Sequence, residues 1–259
     1  IGPGLTLSAT YIIYILIRCY INPKLGPPMS VEELAAISRR EKINIIFSSF
    51  LPPVVIILAV LGSIFFGIAA PTEAAAAGAF AAMLLSLFYK RFNLSMLGAA
   101  SESTLKTTSM ILTMTAGAVL FVSTFMSMGG GEVVERMILG LPFGKWGVFF
   151  LMLVVVFILG MFLDWVAIVL LVVPLYTPIA AKLGFDQIWF ATMVILNLQL
   201  SYLTPPFALA IFYFRGIAPE GITMQDIYIS VLPYIGLQIF VFILCVLIPE
   251  IILWLPSQM

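Results

Sequence analysis

The chain is 259 residues long, 63% hydrophobic and 9% charged, with no net charge, no histidine and a mean hydropathy of +1.18. A water-soluble domain carries about 25% charged residues, so this composition excludes one and describes a chain dissolved in a bilayer. The lack of a basic tract argues against a nucleic-acid partner, and the lack of histidine removes the commonest general base and zinc ligand. No glycine loop of the GxxxxGK[ST] type is present to handle ATP, and no nucleophile–base pair stands out, so no enzyme and no catalytic residue are expected. The two cysteines, Cys19 and Cys245, lie in separate apolar runs and are expected to pack rather than to pair.

Residue 1 is an isoleucine inside an apolar run, which reads as a fragment of something longer. Residues 1–21 make a first expected span. A polar connection, 22–43, carries Lys24, Arg39, Arg40 and Lys42, which the positive-inside rule places in the cytoplasm, with a helix cap expected at Ser30. Residues 44–67 cross outward, bent at Pro52-Pro53. Pro71 and Glu73 suit the first turn of the next span, 72–89, with Glu73 as a cap; the span ends at Lys90-Arg91. Residues 93–108, with Glu102 and Lys106 one turn apart, read as an amphipathic helix along the inner interface, and 109–127 as a separate span. Gly129-Gly130-Gly131 break the chain before a second interfacial helix. Near the end, an amphipathic turn, Met224–Leu232, leads into a final span, 233–255.

The chemistry is expected between 146 and 215. Residues 146–182 are apolar but slightly short of two full crossings at about 20 residues each, so they read as a re-entrant hairpin with its tip at Gly160–Trp165. Asp164 is the one charged group between Lys145 and Lys182; Gly160 is read as the bend, and Asp164 as a helix cap that also serves a cation site. The following helix, 188–214, is expected to break at Asn197–Pro206. Pro205 and Pro206 lack N–H groups, so the carbonyls of Ser201 and Tyr202 lose helical partners. Freed carbonyls beside the oxygens of Asn197, Gln199, Ser201 and Thr204 are hard ligands suited to Na⁺, and a half-helix starting near Pro206 turns its positive end toward a carboxylate. The bland alternative is a proline kink satisfied by Ser and Thr side chains. The candidate Na⁺ ligands are therefore Gly160, Asp164, Ser201, Leu203 and Thr204. The candidate substrate contacts are Asn197, Gln199, Ser201, Tyr202, Thr204 and Pro206.

Three stretches resemble the large membrane (DctM-like) subunit of tripartite ATP-independent periplasmic (TRAP) transporters: GIAAPTEAAAAGA at 67–79, GMFLDWVAIVLLVVPLYTPIAAKLG at 160–184 and NLQLSYLTPPFALAIFYFRGIAP at 197–219. The resemblance covers essentially the whole chain. It implies an all-α integral membrane protein of the bacterial or archaeal inner membrane, the second inverted repeat of an ion-transporter-type elevator fold, with a re-entrant hairpin and a discontinuous helix. It further implies sodium-driven import of an organic acid, with Na⁺ as the coupling ion and no other cofactor. The implied partners are a periplasmic substrate-binding protein, a small four-helix membrane subunit, and an N-terminal repeat absent from this sequence. In this scheme 1–43 is a linking helix and cytoplasmic loop, and 44–145 holds scaffold helices with interfacial arms. The transport element is 146–219, and 220–259 is a C-terminal turn and span.

The chain departs from the commoner family pattern at Trp165-Val166, where many members have Pro-Thr. It departs again at Phe207-Ala208-Leu209-Ala210, where many have Val-Gly-Leu-Asn. Both variants resemble a branch associated with 2-oxo acids, aromatic acids or polyols. The reading from another class is a channel-like or scaffold subunit whose helix breaks only shape a pore.

Overall fold

A computed structural model describes residues 1–27, 38–205, 208, 210–211, 214–215, 218–219 and 221–258, with the side chains of Arg39 and Lys42 excepted. The expected cap at Ser30 and the half-helix at Pro206 lie outside the described residues. All regular structure among the described residues is helical. Among the described residues, six helices are long and apolar enough to cross a membrane: Gly2–Ile21, Ile43–Phe65, Pro71–Phe88, Leu94–Ser127, Trp165–Lys182 and Met224–Leu247. Large apolar side chains such as Leu16, Phe47, Leu58, Phe80 and Leu120 are more than half exposed, an arrangement that lipid tolerates and water does not. The chain forms two compact units, Leu16–Thr107 and Ile1–Ile15 with Thr108–Gln258.

The first unit begins at Leu16 within α1 (Gly2–Ile21), which runs out at Asn22, whose side chain accepts from the Lys24 N–H. Helix α2 (Arg39–Ile45) passes through a π turn, Ile46–Phe50, into α3 (Leu51–Phe65) without a gap. The span therefore begins before residue 44, and the prolines widen the helix rather than merely bending it. Gly67, at φ +67°, turns the chain toward α4 (Pro71–Phe88). There the Glu73 carboxylate accepts from the Ala70 N–H at 3.1 Å, which is the expected capping role.

Helix α5 (Leu94–Ser127) corrects a second expectation: the interfacial helix and the span after it are one uninterrupted helix. Lys106-Thr107-Thr108-Ser109 contains no glycine or proline, so nothing in the backbone stops the ladder at 108. At 1.5 Å per residue the helix is about 50 Å long, well beyond the roughly 30 Å of a hydrocarbon core. Glu102 and Lys106 pair at 2.6 Å on its exposed surface.

The second unit continues through α6 (Gly130–Leu139), α7 (Gly144–Gly160), α8 (Trp165–Lys182), α9 (Gln187–Leu203), α10 (Met224–Leu247) and α11 (Glu250–Leu253). Only Gly129 of the glycine triplet is left-handed, at φ +80°; Gly130 and Gly131 already belong to α6. Lys182 at the end of α8 reaches Glu135 of α6 at 2.6 Å. Met224–Leu232 is the first part of α10, not a separate turn: a reciprocal cap between Thr223 and Asp226 starts the helix, and it runs through Pro233. The helix ends at Leu247 before Pro249, so 233–255 is not a single span.

Helix α9 is the centre of this unit and packs against α7, α8, α10 and α11. Its buried face, Trp189, Phe190, Met193, Val194, Asn197, Leu198 and Ser201, follows helical spacing. It meets the matching face of α7, which is Val148, Phe149, Met152, Leu153, Val156 and Gly160. The first turns of α1 join the same core through Leu7, and the Tyr11 and Tyr14 rings sit edge-on to Tyr234 of α10 at 5.0 and 5.4 Å.

Candidate functional site

The hairpin is formed by α7 and α8, joined by Met161–Asp164. The bend lies in Met161–Leu163, where the N–H groups of Phe162 and Leu163 turn back onto the Leu159 carbonyl at 3.0 and 2.8 Å. Gly160 is still helical, so its expected task as the bend is not the one it performs. It permits close approach instead: a Cβ there would collide with Ser201 Oγ and lie 2.9 Å from Ser201 Cβ and 3.3 Å from Leu198 Cδ2. The end of α7 is thus pressed onto the last turn of α9, and Gly160 and Ser201 of the expected ion site are brought together.

Asp164 caps α8, its carboxylate accepting from the Val166 N–H at 3.2 Å. That is the hydrogen bond its side chain makes among the described residues. The neighbouring Phe162 and Trp165 are more than half exposed, so the tip is an apolar knob around one half-buried carboxylate.

Helix α9 runs regularly through Asn197–Leu203 and stops at Thr204, so the break is narrower than expected and begins seven residues later. The carbonyls that Pro205 disturbs are not bare. The Thr204 N–H donates to the Ser201 carbonyl at 3.1 Å, and Thr204 Oγ1 donates to the Leu200 carbonyl at 2.9 Å. One residue thereby repairs the ladder twice, which is the kink chemistry of the bland alternative. Each carbonyl and hydroxyl oxygen keeps a second lone pair, so hydrogen bonding does not use up their capacity to coordinate. Ser201 is fully buried and its hydroxyl donates to Leu198 at 2.7 Å.

Residues two apart on a helix face opposite ways, and here Asn197 is buried while Gln199 is exposed. Asn197 Nδ2 donates to the Leu153 carbonyl of α7 at 2.8 Å. On the other side, Trp189 Nε1 donates to the Cys245 carbonyl of α10 at 3.0 Å, and Gln238 Nε2 lies 3.4 Å from the Leu196 carbonyl. Leu153 and Gln238 were not foreseen as part of this constellation. Gln238 is a lone amide in a long apolar run, a signal that a polar group inside a membrane helix always gives. Its Oε1 is buried without a hydrogen-bond partner among the described residues. Tyr202 and Leu203 are half-buried beside the break, and Pro206 lies outside the described residues.

The model of the DctM component of the tripartite ATP-independent periplasmic transporter matches residues 1–251. The chain belongs to the DctM family. It is 28% identical over 260 residues to the C4-dicarboxylate TRAP transporter large permease protein DctM of Pseudomonas aeruginosa, covering 98% of this chain and 58% of that protein. To the DctM protein of Rhodobacter capsulatus it is 29% identical over 203 residues, covering 78% and 46%. To the sialic acid TRAP transporter large permease protein SiaM of Vibrio cholerae it is 30% identical over 224 residues, covering 85% and 51%. The chain spans about half the length of the curated relatives it matches. With its six candidate spans, this DctM-family chain is a multi-pass protein of the bacterial inner membrane.

Ala208 sits fully buried at φ +40°. A left-handed conformation costs an L-residue roughly 1–2 kcal/mol that glycine would not incur.

Thr204 yields a direct prediction. Thr204→Val keeps the shape but removes the bond to Leu200, and it is expected to lower stability by about 1 kcal/mol, while Thr204→Ser retains it. Thermal unfolding of the full-length permease in detergent checks this; equal melting temperatures for the two variants would show that the hydroxyl does not hold the break.

Proposed function

We propose that the chain is the ion-coupled half of a TRAP large permease subunit, importing a small organic acid with Na⁺ as the coupling ion. The observation that carries this reading is the seating of Gly160 on Ser201, which sets the hairpin end against the helix break in a chain of this family. In this reading the Gly160 and Leu203 backbone, the Asp164 carboxylate and the Ser201 and Thr204 oxygens supply the all-oxygen set that a hard cation takes, with the Gly160–Ser201 contact as the part of it that is brought together. Ser201, Tyr202 and Thr204 serve the substrate side, Asn197 holds that side against α7 through Leu153, and Gln199, which faces the other way, takes no part in it.

In this reading the permease works as an elevator, with the α7–α8 hairpin re-entrant and an N-terminal repeat of the same subunit closing the other half of the pocket. A periplasmic binding protein delivers the acid and a small four-helix subunit braces the permease. Relatives are named for C4-dicarboxylates and for sialic acid, which supports an acid as cargo. Trp165-Val166 and Ala208 point to a 2-oxo acid, an aromatic acid or a polyol branch.

The test is uptake into proteoliposomes containing the full-length permease and its two partners, using the ligand of the accompanying binding protein. Uptake is expected to require an inward Na⁺ gradient, and Asp164→Ala and Thr204→Ala are each expected to raise the Na⁺ concentration for half-maximal uptake. Uptake indifferent to Na⁺ would leave the channel-like or scaffold reading instead.

A further inference from the structure

The two prolines at 52 and 53 create a local shortage of donors. In an α-helix the Ser48 carbonyl would receive the N–H of residue 52, and in a π turn that of residue 53; both are prolines. The backbone responds by slipping register, so that the Leu51 N–H bonds the Ile46 carbonyl five residues back and Ile46–Phe50 becomes a π turn. The slip does not rescue Ser48. Its carbonyl instead accepts from the phenol hydroxyl of Tyr89, 41 residues away at the end of α4. An orphaned carbonyl is costly in lipid, where no water replaces the missing donor. Tyr89 is 41% exposed, directly precedes Lys90-Arg91, and stands where the chain leaves α4 through the left-handed Lys90 at φ +55°.

We propose that Tyr89 is the latch of a hinge at Ile46–Pro53: its hydroxyl supplies the hydrogen bond that Pro52 cannot, and so ties the end of α4 to the π turn before α3. The neighbouring basic pair places the latch at a membrane surface, the one depth at which water can take over the Ser48 carbonyl when the phenol lets go. Because α3 and α4 are already joined at their other ends by the Gly67 turn, the latch decides whether the pair behaves as one rigid element or as two.

A double-mutant cycle on the full-length permease, read by amide hydrogen exchange over residues 46–51, tests this. Tyr89→Phe removes only the donor and is expected to speed exchange about two- to tenfold, the range for one lost hydrogen bond. Pro52→Ala returns an N–H to the Ser48 carbonyl, and in that background Tyr89→Phe is expected to change exchange less than twofold. Equal acceleration in both backgrounds, or none in either, would overturn the proposal. If Tyr89→Phe alone does not accumulate, Pro52→Ala is expected to restore it, and failure of that rescue also overturns the latch.

Discussion

Gly160→Ala is expected to be among the most damaging single-methyl changes in the chain. The added Cβ would overlap Ser201 Oγ and stand 2.9 Å from Ser201 Cβ, both atoms of a fully buried residue in the last turn of α9. Neither atom can step aside, because the Ser201 hydroxyl is held by Leu198 at 2.7 Å and the Cβ moves only with its helix. Overpacking of a tight interior costs roughly 1–3 kcal/mol, and the upper end is expected where backbone must shift. The same shift separates the hairpin end from the break, so the Na⁺ requirement for uptake is expected to rise with the loss of stability. Ser201→Gly removes both obstructing atoms, so Gly160→Ala/Ser201→Gly is expected to melt above Gly160→Ala, though below the parent because glycine weakens the helix by about 0.5 kcal/mol relative to serine. A Gly160→Ala protein that melts like the parent would mean α7 and α9 are not in contact at this point.

The features legible in the sequence were those written in nearest neighbours. Asp164 before an apolar run is an N-cap signal, Pro71 with Glu73 is a helix start, and both are realised. The hairpin and the stop near Pro205 follow from runs and breakers in the same way. What stayed hidden depends on partners far along the chain. Leu153, 44 residues before Asn197, gives no sign that its carbonyl will take that amide. Tyr89 likewise gives no sign that it will supply the hydrogen bond that Pro52 withholds from Ser48. The early start assigned to the break came from treating Asn197, Gln199 and Ser201 as one polar patch. A helix still intact at those positions sends Gln199 to the side opposite the other two, so proximity in sequence misstated proximity in space. Glycine gave the same lesson: Gly160 reads as a bend in one dimension and acts as a contact surface in three.

Asn197 should discriminate between chemistries that volume alone cannot. Its side chain is 6% exposed and its amide donates to the Leu153 carbonyl, which already accepts within α7, so the bond is an interhelical strut and not a repair of the ladder. Asn197→Leu removes the strut while keeping a similar size and is expected to cost about 1 kcal/mol, the net worth of one such bond. Asn197→Asp is almost isosteric, yet an ionised carboxylate only accepts, and it would face the Leu153 carbonyl oxygen with no donor between them. An uncompensated buried charge costs about 3–5 kcal/mol, so the smaller change in shape is expected to be the larger change in stability. Melting temperatures of the full-length permease in neutral detergent solution check the order: parent highest, then Asn197→Leu, then Asn197→Asp. If Asn197→Asp were the milder of the two, the carboxyl would be holding a proton and donating it to the Leu153 carbonyl in the amide's place, and the penalty for a buried charge would not apply.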